Sequence, residues 1–478
     1  MDMMLKQKIL ITVIGLYSIV AIQSTVCATG FSLNDNKENG AFDKKPNKIK
    51  SVTIPYSPVT GLITSPDFTV LVNNIPVWTE RVGNGGMEDL NVANFSCFGP
   101  QTITITGLSD ITKYEIKPKS KGIVAQINGK QLTFTITEPQ KLYIEINNLA
   151  HLAVFANPIE VNPPKKGGNG ILFYGPGRYN IGELQLQNNQ TVYIAAGAVV
   201  DGNIRGTNLQ NIKIQGCGIL NGNIQIAGSS NIDINGIFIR NTRGWSNTLI
   251  DCDRISYSNV KIFSYKEVWG IDGIDPVSCR NFTIDNCFIR TKDDCISIKS
   301  MYEFGGYKIK NINTDSINIT NCLLVGWSHA DGFTLGFELQ GGFVQNVLVK
   351  NCDIISSSGQ GRTGGHSAFS IVCDGPANVQ NISFEDIRVE NQIEYKNLEL
   401  IITEGRRYGT AGPGHIKGVY LKNIHWENPN KPFVIAGIPS FLVEDVTFDK
   451  CYLAGKVLTG TSDADFQMEF VKEIKFIP

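Results

Sequence analysis

From about residue 171 onward, short alternating runs of apolar and polar positions end in a polar bend and a small apolar residue, then begin again. The units include Ile234-Asn235-Gly236-Ile237, Tyr257-Ser258-Asn259-Val260, Ile284-Asp285-Asn286-Cys287, Ile319-Thr320-Asn321-Cys322, Val349-Lys350-Asn351-Cys352, Phe384-Glu385-Asp386-Ile387, Leu421-Lys422-Asn423-Ile424 and Phe448-Asp449-Lys450-Cys451. With Gln215-Gly216-Cys217 aligned ahead of them, one column reads Cys, Ile, Val, Cys, Cys, Cys, Ile, Ile, Cys. The units recur every 20 to 40 residues or so, as coils with loops of variable length do. Period-two runs on such a repeat predict a right-handed parallel β-helix, a solenoid in which each coil buries a stripe of side chains against the next.

The pattern before residue 162 differs. Runs such as Ser51–Ile54, Thr69–Val72, Thr102–Ile105, Leu132–Ile136 and Leu142–Ile146 alternate and are split by Gly, Asn and Pro. That is the signature of an antiparallel β-sandwich. The fold expected is therefore all-β: a sandwich over 48–161, a linker over 162–170 and a β-helix over 171–478. Ahead of these, Lys6 and Lys8 precede the apolar run Ile9–Ile22, and Val26-Cys27-Ala28 offers small residues for cleavage. Residues 1–28 read as a secretory signal, with cleavage after Ala28 favoured over lipidation of Cys27. Residues 29–47 read as a flexible polar leader. Export to the periplasm or the medium follows, and no stretch is long and apolar enough to span a membrane.

Composition removes some function classes. The chain has 43 Lys and Arg against 44 Asp and Glu, with no basic stripe of the kind nucleic acid requires. Eleven cysteines in an exported chain would ordinarily suggest disulfides. Here Cys217, Cys287, Cys322, Cys352 and Cys451 alternate with Ile and Val in one column, so they are expected to pack as small apolar side chains. No Cys-x-x-Cys pair or His cluster marks a metal site, and no cofactor is expected.

The candidate chemistry lies in two runs, Trp269-Gly-Ile-Asp272-Gly-Ile-Asp275-Pro276 and Thr291-Lys-Asp293-Asp294-Cys-Ile-Ser-Ile-Lys299. Asp272 and Asp293 are one coil apart, so they should meet on adjacent rungs about 4.8 Å apart. Paired carboxylates are what acid/base cleavage of a glycosidic bond requires, and rung spacing alone fits both inverting and retaining geometries. Ile296 and Ile298 must point inward, and strict alternation would drag Asp294 in with them. A lone buried carboxylate is costly. The chain is therefore expected to bend at Lys292–Asp294 so that both aspartates face the cleft. Asp275, before Pro276, reads as a turn residue.

These runs resemble the Asn-Thr-Asp-Gly and Gly-Asp-Asp motifs of the polygalacturonase family and the matching aspartates of the dextranase and isopullulanase family. The resemblance covers roughly residues 171–460, and the N-terminal sandwich is similar to the dextranase layout. It implies an inverting hydrolase of an α-linked polysaccharide, pectic or dextran-type. Asp293 would be the general acid, and Asp272 and Asp294 would activate water. Two motifs depart from the polygalacturonase pattern. Gly-His-Gly is replaced by Ala330-Asp331-Gly332, with His329 nearby, and the Arg-x-Lys that grips a uronate is replaced by Ala368–Cys373. Substrate contacts are expected from Trp269, Lys299, His329, Asp331, Arg362 and His366, with Arg406 and Arg407 as further loop cations. Lys299 could bind substrate or neutralise the aspartates, and Glu338 could join the acidic cluster. Trp245 and Trp327 fall near coil turns. A calcium-dependent lyase using Asp272, Asp293, Asp294 and Asp331 is the second reading, and a non-catalytic glycan-binding β-helix the third.

Overall fold

A computed structural model describes residues 51–478 apart from 84, 86–87, 266–269, 328, 358–366 and 406–407. The expected signal and leader, Trp269, Arg362, His366, Arg406 and Arg407 lie outside the described residues. No helix among the described residues is long and apolar enough to cross a membrane.

Residues 52–158 form two facing sheets, of seven and five strands. The predicted runs appear as Val52–Pro55, Phe68–Val72, Gln101–Gly107, Gln131–Ile136 and Lys141–Ile146. Pairing is antiparallel except that Leu152–Pro158 runs parallel to Leu90–Phe98. Phe68, Val70, Phe95, Ile103, Ile105, Leu132, Phe134, Ile144 and Val154 fill the space between the sheets. Alternation turns the neighbours of those residues the other way. Val92, Tyr143, Ala153 and Phe155 pack on Val199, Phe238, Phe263, Phe288, Leu323 and Ile355 of the solenoid. The central strands of the larger sheet are thus buried on both faces.

From Ile171 on, every coil contributes strands to parallel sheets. One face is a 12-stranded sheet running from Ile171–Tyr174 to Val471–Ile477, and the other two are joined at their corners into a 21-stranded sheet. The predicted column is present: Ile237, Val260, Cys287, Cys322, Cys352, Ile387, Ile424 and Cys451 stack in one core. The ten described cysteines are free and buried. The first member is displaced by one residue. The amide of Phe238 pairs with the carbonyl of Gly218 just as those of Lys261 and Phe288 pair with Ile237 and Val260. Gly218 therefore holds the column place, and Cys217 turns outward toward Tyr56 and Glu160.

The residue before the column turns the corner. Asn286, Asn321, Asn351 and Asn423 take φ of 52°, 57°, 51° and 51°, a left-handed conformation that Asn tolerates better than most residues. Their side chains bond from coil to coil, Asn351 Nδ2 to Asn321 Oδ1 at 2.7 Å and Asn321 Nδ2 to Asp285 Oδ1 at 2.6 Å.

Candidate active site

The two acidic runs occupy the opposite corner of the coil, where the strand under the sandwich gives way to the next face. Asp272 lies between strands Lys261–Phe263 and Ile274–Val277, Asp293 and Asp294 between Phe288–Thr291 and Ser297–Ser300, and Asp331 between Leu323–Gly326 and Phe333–Leu339. Backbone bonds stack these corners: Gly273 N donates to Asp294 O at 2.9 Å, and Cys295 N to Asp331 O at 3.0 Å. The chain bends at Lys292–Asp293, as expected. Gly273 has a packing reason, because a Cβ there would press into the Cys295 carbonyl and the Ile289 methyl.

Each aspartate has a different environment. Asp293 is half-buried; its Oδ2 accepts from Gly270 N at 2.9 Å, and its Oδ1 from Asp294 N at 3.1 Å. Asp294 is 5 % exposed, and its Oδ1 accepts from Asp331 N at 2.9 Å. Burial, then the charges of Asp331, Asp293 and Asp272, raise the proton affinity of Asp294 far above that of an ordinary aspartate. Burial and the neighbouring carboxylates thus favour the protonated form of Asp294 beside Asp293.

Asp331, where the polygalacturonase motif has histidine, does not open to the cleft. It is buried; Oδ1 accepts from Ser367 N at 2.8 Å and Oδ2 from Ser370 Oγ. The expected substrate ligand instead underlies Asp294. His329 stands half-buried at the same corner, its amide bonded to Lys292 O at 2.8 Å.

Lys299 also serves the protein. Its Nζ lies 2.7 Å from Glu338, 3.4 Å from Asp272 and 3.8 Å from Asp275, and 4.1 Å from the centre of the Trp245 ring. Burial alone disfavours its charge, but Glu338, Asp272 and Asp275 outweigh that and hold the proton more tightly than water does. Of the two roles open to Lys299, neutralising the aspartates is the one this geometry supports, and Glu338 joins the cluster. Trp245 stacks on Phe304 with centroids 4.7 Å apart, forming the roof over Lys299. Trp327 belongs to the other face: the Arg290 guanidinium lies 4.4 Å from its ring centre, and His151 packs against its edge.

Asp275 overturns the turn assignment. It lies inside strand Ile274–Val277 and is fully buried. Ile274 pairs with Ile296, and both point into the core, so Asp275 faces outward in a column with Thr248 and Ser297, beside the site. The inward pair Ile296 and Ile298 was the available signal, since the same phase applied one coil earlier puts Asp275 outside. Ser367 and Ser370 carried no signal of their own in the sequence.

The sandwich reaches this corner. Arg290 Nε donates to Tyr143 Oη at 3.1 Å and its Nη1 to Glu88 O at 2.9 Å, while Lys292 Nζ pairs with Glu88 at 2.5 Å.

Among known proteins, a probable polygalacturonase of Vitis vinifera is 23% identical over 245 residues, 47% of this chain and 45% of that protein, so the match spans less than half of the relative. The hyperthermoactive exopolygalacturonase of Thermotoga maritima superposes with a TM-score of 0.51 at 16% identity, covering 64% of this chain and 83% of that one, a likeness of fold. Dex49A of Penicillium minioluteum aligns with a TM-score of 0.43 at 12% identity over 87% of this chain and 96% of its own. The family model for glycosyl hydrolases family 28 matches residues 178–436, more than half of the sequence. With that match, the chain belongs to glycosyl hydrolases family 28.

Proposed function

We propose that this protein hydrolyses O-glycosidic bonds of an α-linked polysaccharide, pectic or dextran-type, with inversion at the sugar carbon. The observation that carries the reading is the stack of acidic corners on successive coils, where burial and neighbouring carboxylates favour a proton at Asp294 beside Asp293. Asp293, the more exposed member, delivers that proton to the glycosidic oxygen as the bond breaks. Water held by Asp272 and Asp294 attacks the anomeric carbon from the other side and passes its proton to a carboxylate, so one proton is given and one regained. The descriptions of the Vitis vinifera and Thermotoga maritima proteins as polygalacturonases favour the pectic polymer. Trp269, His329, Arg362 and His366 are the proposed substrate contacts. The apolar run Ile9–Ile22 supports action outside the cytoplasm, where such polymers are met.

The test is product analysis by NMR on polygalacturonate, rhamnogalacturonan, dextran and pullulan, with Asp293→Asn as control. The expected first product is the inverted anomer, and the variant should lose roughly 10²–10⁴-fold in rate. Undiminished activity in Asp293→Asn removes the assigned acid. Chelator-sensitive release of unsaturated, ultraviolet-absorbing products would establish the lyase reading, and calorimetric binding with no product the binding one.

A further inference from the structure

We propose that Asp275 is a positioning residue that works as a neutral acid, donating its proton in a hydrogen bond to Asp272 and so aiming that carboxylate at the reacting water. The inference rests on the reading above, in which Asp272 activates water.

The surroundings of Asp275 carry it. The side chain is 0 % exposed, and neither oxygen has a hydrogen-bond donor among the described residues. The cation beside it, Lys299, stands at 3.8 Å, nearer to Asp272 at 3.4 Å and bonded to Glu338 at 2.7 Å. An ionised carboxylate in that place would be buried without a hydrogen-bond donor, which strongly disfavours the charge. A protonated one brings its own donor and needs only an acceptor. The Asp272 carboxylate, which flanks the same Lys299 ammonium, serves as that acceptor. Burial first, then the Asp272 charge, raise the proton affinity of Asp275 far above normal.

The groups facing the pair fix which member ionises. Lys299 and Glu338 come from the two following coils, Asp294 stands at the next corner, and Tyr257 lies on the interior side. Lys299 is closer to Asp272, so the negative charge settles there and the proton on Asp275. Glu338 balances Lys299 and keeps the ammonium from draining basicity from Asp272. The result is one charge, one proton and one fixed orientation, where a lone Asp272 could rotate.

Asp275→Asn, Asp275→Leu and Asp272→Asn are compared on the polymer the wild type cleaves, with folding followed by circular dichroism and melting. The Asn amide N–H still donates to Asp272, so Asp275→Asn should keep kcat within about tenfold. Asp275→Leu has no donor and should lose about 100-fold or more in kcat with KM nearly unchanged. Its acid limb of kcat/KM should move to higher pH, because the donor that favours ionised Asp272 is gone. Should Asp275→Leu fail to fold, the infrared difference spectrum of wild type minus Asp275→Asn at pH 7 decides the matter. A protonated-carboxyl C=O band supports the proposal, and a carboxylate band overturns it. Asp275→Asn as inactive as Asp272→Asn, or folded Asp275→Leu as active as wild type, also overturns it. An active Asp272→Asn instead removes the water-activating assignment, which separates failure of that reading from failure of this one.

Discussion

Asp331 and Gly273 show how single residues shape the acidic corners from within the protein. The Asp331 charge, with burial, raises the proton affinity of Asp294. Asp331→Asn removes that charge, so Asp294 gives up its proton at lower pH. The alkaline limb of kcat/KM should then move to lower pH, measurable on any soluble substrate. Gly273 has no such electrical role. Gly273→Ala forces a methyl against the backbone of the next coil, and strain of this kind costs about 1–3 kcal/mol. Thermal melting should show the loss. A melting temperature equal to wild type would mean that the coils separate there more easily than their backbone bonds suggest.

At the scale of strands, the solenoid face and the sandwich act on each other through a few buried polar groups. Glu390, in strand Arg388–Ile393, accepts from Lys119 N of the sandwich at 2.7 Å while its other oxygen is buried without a partner. Burial lifts its pKa to about 7. The folded state therefore prefers the neutral acid. That preference costs nothing below the unfolded value near 4.5 and turns into lost stability as pH rises through 7. Glu390→Gln keeps an acceptor and cannot ionise. It should melt like wild type at pH 4 and higher than wild type at pH 8, by up to about 3 kcal/mol in stability. The cysteine column makes a separate point. Cys322 is 1 % exposed between Cys287 and Cys352, so Cys322→Val should fold with a near-normal melting temperature, whereas Cys322→Asp should not accumulate as folded protein.

At the scale of the molecule, the sandwich and the outer side of the solenoid share a buried cluster of their own. Tyr143, Phe155, Phe238, Phe263 and Phe288 form one buried cluster across the contact. Arg290, gripped by Tyr143 and Glu88, directly precedes the corner that bears Asp293. Calorimetry of the intact chain should show one cooperative transition. A chain starting at residue 162 exposes those aromatic rings and should aggregate on expression. A soluble, active fragment would show that the solenoid needs no such cover.

The legible part of the protein followed from periodicity. A period of two repeated coil after coil can bury its apolar stripe in few ways, so the all-β class, the solenoid, the packed cysteines and the bend at Lys292–Asp294 could all be read from residue order. Two local readings slipped: Cys217 by one residue, because Gly218 offers no side chain to mark the column, and Asp275, because Asp-Pro resembles a turn wherever it stands. The tertiary structure alone decided what each charged group faces. Lys299 turned to three carboxylates, Asp331 closed on Ser367 and Ser370, and Asp275 became a fully buried strand residue beside Lys299. The reason is physical. Apolar burial is written along the chain as a pattern, but the proton affinity of a carboxyl depends on charges and donors that arrive from other coils, and those distances exist only once the coils are stacked.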